Sequence, residues 1–317
     1  MPKPQCSVII PAYNAIAFLP DAIASVFAQD IADIEILVCD DGSSDGTYEW
    51  LQELAERDPR VRVFKGGRLG PARARNYLIE NAKSDIIAFL DADDTWLEDK
   101  LSREILFHAA NPEVAFSFTD YRHVDMAGNR RSTAFDYWQP KWQPAGTGFS
   151  VLADAGNELL ATNVVGTSCV VAKSEFLRIA NGFAPDLPSA EDWDLWLRLA
   201  KLGPVAVSSA VTMHYLMRPG SETSNRAART NAMEIVLEAN RKAGAKAWAM
   251  RHARSRILTS KAQWMHEMNK PASALAYGWA AFAYRPDRRA LREALAFSRH
   301  FAKWPNAIAA ANSSAGN

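Results

Sequence analysis

Ser84-Asp-Ile-Ile-Ala-Phe-Leu-Asp-Ala-Asp-Asp-Thr95 is the stretch on which the reading of this chain turns. Ile86 to Leu90 is a short apolar run of the kind that makes a buried strand, and it stops in the carboxylates Asp91, Asp93 and Asp94. Thr95 with Glu98 has the spacing of a capping box, which predicts a helix starting directly afterwards. Asp91 and Asp93 then stand at the carboxyl end of a strand, where open α/β sheets bind their ligands. On an extended segment side chains two apart face the same way. Two converging carboxylates repel unless a positive charge lies between them, and a divalent cation holding a phosphate is the usual solution. The plain alternative is a solvated acidic turn that caps a helix.

Upstream, three similar units lead to this strand. Cys6 to Ile10 is a β-branched apolar run followed by the loop Pro11-Ala12-Tyr13-Asn14, and Phe18 to Ala28 has helical spacing. Ile34 to Cys39 ends in Asp40-Asp41-Gly-Ser-Ser-Asp45-Gly46, with Asp45 placed to cap a helix from Thr47 to Arg57. Val61 to Phe64 leads to Pro71, which opens a helix carrying Arg73, Arg75 and Asn76. Strands and helices alternating at this spacing predict right-handed βαβ units and a parallel sheet. The ends of strands one, two and four bring Tyr13/Asn14, Asp40/Asp41 and Asp91/Asp93 to one edge. Tyrosine stacks on a nucleobase, a carboxylate accepts the base N–H, and arginine reaches pyrophosphate oxygens. A nucleoside diphosphate fits that inventory.

Downstream the alternation breaks. Ala115 to Tyr121 reads as a strand and Ala127-Gly128-Asn129 as a turn. Phe135 to Pro144 is aromatic and proline-rich, suited either to stacking on an acceptor sugar or to covering a core edge. A strand over Thr167–Ala172 and a helix over Glu175–Ala180 follow. The next helix opens on Glu191-Asp192, and Asp192 shares a face with Leu195, Trp196 and Leu199. There a carboxylate is either a cap or a base aimed into a cleft.

Four motifs in order, Ser7-Val-Ile-Ile-Pro-Ala-Tyr-Asn14, Val38-Cys-Asp-Asp-Gly-Ser-Ser-Asp-Gly-Thr47, Ala74-Arg-Asn76 and Phe89-Leu-Asp-Ala-Asp-Asp94, resemble the family 2 glycosyltransferases of GT-A fold. The resemblance implies a Rossmann-like mixed α/β sheet with helices on both faces. It assigns the nucleotide to Pro11, Ala12, Tyr13, Asn14, Asp41 with its neighbour Asp40, and Arg75. It makes Asp91 and Asp93 the ribose and metal ligands for Mg²⁺ or Mn²⁺, Asp93 being the surer metal ligand. Asp192 becomes the catalytic base of an inverting transfer from a nucleotide-sugar, by default a UDP-sugar, to a glycan or lipid-linked acceptor in cell-surface glycan assembly. The stretch Met213 to Ser224 departs from the family pattern: Leu216 stands where arginine is common, and Arg218 falls near the expected histidine. Arg218 is assigned to the diphosphate, and His214 is left out of the metal site. The resemblance stops at Asn225.

The chain has 317 residues, enough for a large α/β domain and an appendage. Its zero net charge hides an asymmetry: residues 226–317 hold 16 Lys and Arg against 5 Asp and Glu, a net of +11, balanced by −11 before them. We divide it into a catalytic domain (1–225), a helical region (226–311) and a disordered tail (312–317). Helices are expected over 232–243, 245–267, 271–284 and 288–304. Trp248, Trp264, Trp279 and Trp304 are read there as core residues, with a membrane surface as the alternative. Cys6, Cys39 and Cys169 lie in apparent strands and read as buried reduced thiols. With no apolar leader or long apolar run, a cytoplasmic protein is expected, with peripheral contact at the inner membrane face through its basic end and no nucleic-acid partner. Three competing readings are a haloacid-dehalogenase-like phosphohydrolase, in which Asp91 is the nucleophile, a dinucleotide-binding oxidoreductase on Gly66-Gly67-x-x-Gly70, and a degenerate binding module.

Overall fold

The computed structural model describes residues 3–218 and 225–314, with side chains as far as residue 302. It divides into two compact units, one of residues 1–159, 163–187 and 191–221, the other of residues 160–162, 188–190 and 222–317.

In the first unit the apolar runs become strands β1 (Cys6–Ala12), β2 (Ile34–Asp40), β3 (Val61–Lys65) and β4 (Ile86–Phe89). Helices α1 (Leu19–Phe27), α2 (Thr47–Arg57) and α3 (Pro71–Asn81) alternate with them. Then come β5 (Thr95–Trp96), α4 (Lys100–Ala110), β6 (Phe116–Asp125), β7 (Arg130–Thr133), α5 (Ala134–Trp138), β8 (Ser150–Val151) and α6 (Ala155–Ala161). A 3₁₀ turn (Thr167–Cys169) precedes β9 (Val170–Lys173), α7 (Ser174–Ile179), α8 (Glu191–Leu199) and β10 (Val205–Met217). The strands form one sheet of order β3-β2-β1-β4-β9-β6-β10-β5, with β7 on β6 and β8 on β10. This is the expected mixed α/β sheet. Its first four strands pair in parallel, whereas β9 runs antiparallel to both β4 and β6.

Local readings near the acidic stretch change. Thr95 and Trp96 pair with His214 and Met213 instead of capping a helix, and α4 begins only at Lys100. A two-residue strand set by partners over 100 positions away leaves no local signal. Asp91 to Asp94 is a turn, closed by Asp94 N–H donating to Asp91 O at 3.1 Å, so the alternation of an extended segment does not apply to Asp91 and Asp93. Asp45 does accept from Thr47 N–H at 3.1 Å, although the residue adjoining α2 is Gly46, whose φ of 92° suits glycine. Phe135 is buried, and Trp142 packs edge-on against Phe118 at 5.8 Å. The aromatic stretch thus covers a core edge, with Tyr137 exposed. All three cysteines are buried free thiols, each pushed up to about 12 by burial. Cys169 lies in the 3₁₀ turn rather than a strand.

Beneath the sheet, Lys100 and Glu104 form an ion pair with no solvent exposure. Glu104 also accepts from the Ser117 hydroxyl, which meets His108 Nε2 at 3.0 Å. Burial, then the charges of Lys173 and Lys100, push the His108 imidazole down to about 4. The unfolded chain protonates this ring near 6.5, so stability is lost as pH falls through the interval from about 6.5 to 4, by about 3 kcal/mol. Glu104, pushed up by burial, titrates in the opposite sense. The checkable quantity is therefore the difference between wild type and His108→Leu: urea unfolding between pH 7 and 4 should fall less steeply in the variant.

The second unit holds α9 (Arg226–Lys242), α10 (Ala247–Glu267), α11 (Pro271–Tyr284) and α12 (Arg288–Ser314). Alanines form much of its core: Ala249, Ala253 and Ala262 on α10, Ala274 and Ala281 on α11, and Ala290 and Ala294 on α12. Small residues let helices approach closely, and a Cβ on Gly278 would meet Phe297 Cδ2 at 2.7 Å. The tryptophans are not core: Trp248 is 36% and Trp279 41% exposed, and Trp264 is half-buried. The Trp304 side chain lies outside the described residues. Helix α12 continues through Asn312–Ser314, where disorder was expected, and residues 315–317 are outside the description.

Candidate active site

The carboxyl ends of β1 and β2 are laced together. Asn14, at a positive φ of 47°, donates its N–H to Ser43 Oγ at 2.9 Å and accepts from Ser44 N–H at 2.9 Å. Pro11 and Ala12 belong to β1 itself, and Ala12 O accepts from Asp41 N–H at 2.8 Å. Of the four loop residues, Tyr13 is 53% exposed and Asn14 is exposed beside it.

The two aspartates after β2 have separate jobs. Asp41 is buried, and its oxygens accept from Leu69 N–H at 2.6 Å and Gly70 N–H at 2.7 Å, which holds the loop into α3. A Cβ on Gly66 would lie 2.5 Å from Asp41 Oδ1, so this packing needs glycine. Asp40 uses Oδ2 for Gly42 and Ser43 N–H groups, both at 3.2 Å, while Oδ1 is buried without a partner among the described residues. A buried carboxylate oxygen left over in this way is an acceptor awaiting a donor. Asp40, not Asp41, carries that acceptor.

Arg75 joins the two acidic motifs. From α3 its guanidinium donates to Asp91 Oδ1 at 2.6 Å and to Glu191 Oε1 at 3.0 Å, and it lies over the Phe183 ring at 5.2 Å. Burial works against its charge, but Asp91, Glu191 and Asp192 outweigh burial and raise its pKa. This side chain, assigned above to the nucleotide, ties the end of β4 to the start of α8. Asn76 supports it, accepting from Phe183 N–H at 2.7 Å and donating to Phe183 O at 2.8 Å. Phe183 packs edge-on with Phe89 and Trp196 at 5.5 and 5.9 Å.

Asp192 is half-buried beside this pair, and its Oδ2 accepts from the Thr167 hydroxyl at 3.3 Å. Asp93 accepts from Arg218 Nε at 2.6 Å, and Arg218 lies over Phe18 at 5.1 Å. Burial, then the charge of Asp91, push the Asp93 carboxyl up, and Arg218 opposes them. Asp94 is buried and pushed up further by burial and by both neighbours; it accepts from Ser168 Oγ at 2.6 Å and Leu216 N–H at 3.1 Å. Ser168 Oγ also accepts from Asp91 N–H at 3.0 Å. Sequence reasoning passed over Ser168 and Phe183, which nothing local distinguishes. His214 lies within β10, paired with Thr95.

A divalent cation fits the chemistry of Asp91 and Asp93, because the repulsion that raises Asp93 is what such an ion relieves. Among the described residues no group of three or more His, Cys, Asp or Glu could hold a metal.

Residues 7–153 match the family described as "Glycosyl transferase family 2". The matched segment is 147 of the 317 residues and holds the loops after β1, β2 and β4. The match is to a glycosyltransferase family and not to a phosphohydrolase or an oxidoreductase, and Asp192 and Arg218 lie beyond the matched segment. Among curated relatives, the putative teichuronic acid biosynthesis glycosyltransferase TuaG of Bacillus subtilis is 39% identical over 127 residues, 40% of this chain and 50% of that protein. The chain spans about half the length, or less, of the curated relatives it matches. In fold it resembles S. aureus TarS 1–349 in complex with UDP-GlcNAc (TM-score 0.63, 16% identity, covering 93% of this chain and 89% of that one). It also resembles the mannosyltransferase PcManGT from Pyrobaculum calidifontis in complex with GDP-Man and Mn²⁺ (TM-score 0.63, 21% identity, 95% and 81% covered). The fold is that of the GT-A glycosyltransferases.

Proposed function

We propose that the chain is an inverting, metal-dependent glycosyltransferase that uses a nucleotide-sugar, by default a UDP-sugar, and an acceptor hydroxyl in polysaccharide or glycoconjugate assembly. The observation that carries this reading is the chain Asp91–Arg75–Glu191, with Asp192 as next neighbour, at the carboxyl edge of the sheet. It brings the metal-type carboxylates and a candidate base, about 100 residues apart, into one site. TarS in complex with UDP-GlcNAc supports the choice of UDP, and PcManGT with GDP-Man and Mn²⁺ supports the metal.

In this reading Tyr13 stacks on the base, and Asp40 Oδ1 accepts its N–H. Asp41 and Asn14 hold the loops that shape this pocket. Asp93, with Asp91, holds Mg²⁺ or Mn²⁺, which when bound supplies charge stabilisation for the departing diphosphate. Arg218 faces the same negative charge. Asp192 takes the proton of the acceptor hydroxyl as that oxygen bonds to the anomeric carbon and the carbon–phosphate oxygen bond breaks on the opposite face. One in-line displacement inverts the anomeric centre. The acceptor is a glycan or a lipid-linked sugar.

Calorimetric titration of UDP, GDP, dTDP and CDP, each with Mn²⁺ and with EDTA, tests the reading. One nucleotide should bind in a metal-dependent way. Asp93→Ala should lose the metal-dependent part, and Asp40→Asn should weaken the preferred base most. Failure of all four nucleotides to bind would leave a degenerate binding module of the same fold.

A further inference from the structure

Helix α11 has no charged residue in its 14 positions. Its exposed residues Ala272, Ala276, Trp279 and Ala283 repeat at helical spacing and form one uncharged face turned to solvent. Trp279 Nε1 donates to Ser298 Oγ at 3.1 Å, which sets the indole beside the α12 turn that holds Leu295 and Arg299. Along α12 the exposed positions include Arg288, Leu291, Arg292, Leu295 and Arg299, while Ala290 and Ala294 turn inward. Trp279 is 41%, Leu295 39% and Leu291 37% exposed. Leucines and arginines therefore alternate on the outer side of the same helix pair, and the one acidic residue of α12, Glu293, is already paired with Arg289.

A water-facing helix normally places charge where this pair places tryptophan, alanine and leucine. A symmetric contact between two copies would set one arginine stripe against the other, in a region whose net charge is +11. A surface of opposite charge with an apolar layer beneath it satisfies both halves of the pattern. No described helix is long and apolar enough to cross a membrane. We infer that the α11–α12 face docks on an anionic phospholipid surface, with Trp279, Leu291 and Leu295 at the headgroup–acyl boundary and Arg288, Arg292 and Arg299 on the lipid phosphates.

Vesicle flotation of the full chain tests this independently of glycosyl transfer. The chain should float with vesicles of equal parts phosphatidylglycerol and phosphatidylcholine, and stay behind with phosphatidylcholine alone. Replacing Arg288, Arg292 and Arg299 together by glutamine should weaken partition about a hundredfold. Trp279→Ser with Leu295→Ser should also weaken it while circular dichroism and the melting midpoint stay at wild-type values. Equal flotation with both vesicles, no flotation with either, or variants that float like wild type would overturn the inference. So would a dimer, seen by light scattering, that Leu295→Arg dissociates, since the face would then belong to a second copy.

Discussion

Asp192→Asn should lower turnover by about a hundredfold to ten-thousandfold, the span that a positioned general base contributes, if Asp192 is the base proposed above. Asparagine has the same shape and its side-chain oxygen can still accept from the Thr167 hydroxyl, so the loop at residues 166–168 keeps its contact. It cannot accept a proton at physiological pH. Nucleotide affinity should stay near the wild-type value, because the pocket after β1 and β2 does not use this residue. The fall should appear in kcat, with the KM for donor little changed. Steady-state kinetics alongside calorimetric UDP titration separate the two. Wild-type turnover in Asp192→Asn would remove it as the base and leave Glu191 as the nearest carboxylate, already bonded to Arg75.

Arg75→Met should cost about 3–5 kcal/mol of stability in urea unfolding, the loss expected when one partner of a buried ion pair is removed. The side chain is 7% exposed and meets carboxylates on two elements, so methionine leaves Asp91 and Glu191 without their cation. Arg75→Lys should recover only part of this, because one ammonium cannot span two carboxylates as a planar fork does. Nucleotide binding should fall as well, since Asp91 would lose the contact that aims it. Unfolding of Arg75→Met at the wild-type urea midpoint would show that the bridge contributes nothing to the fold.

Much of this was legible in the sequence because it is written locally. The β-branched runs Cys6–Ile10 and Ile34–Cys39 became strands, and α10 and α11 fall within two residues of their expected bounds, whereas α9 starts six residues earlier and α12 ends ten later. The acidic strand ends do lie on one edge of one sheet. What escaped depends on partners distant in sequence. Thr95 reads as a cap from its neighbours and becomes a strand residue because His214 lies beside it. Asp40 and Asp41 are adjacent and chemically identical, and only the approach of Leu69 and Gly70 decides which keeps an unused oxygen. The bond of Arg75 to Glu191, 116 positions on, leaves no mark in the residues around either of them. Trp248 and Trp279 were misplaced because alanine, poor in apolar area but rich in close approach, took the core.

Strand β10 works as a ruler. Its register against β6 slips between Ser208 and Val211 and again between Val211 and Met213, then runs unbroken from Met213 to Met217. Leu216 is pinned to Asp94 within that regular stretch, and Arg218 follows two residues later. Changes in chain length upstream of Met213 can be taken up by the bulges, whereas one residue added after it would turn Arg218 to the opposite face of the sheet. Loop grafts intended to alter acceptor preference therefore belong before Met213, where the distance from graft to catalytic edge is not counted in residues.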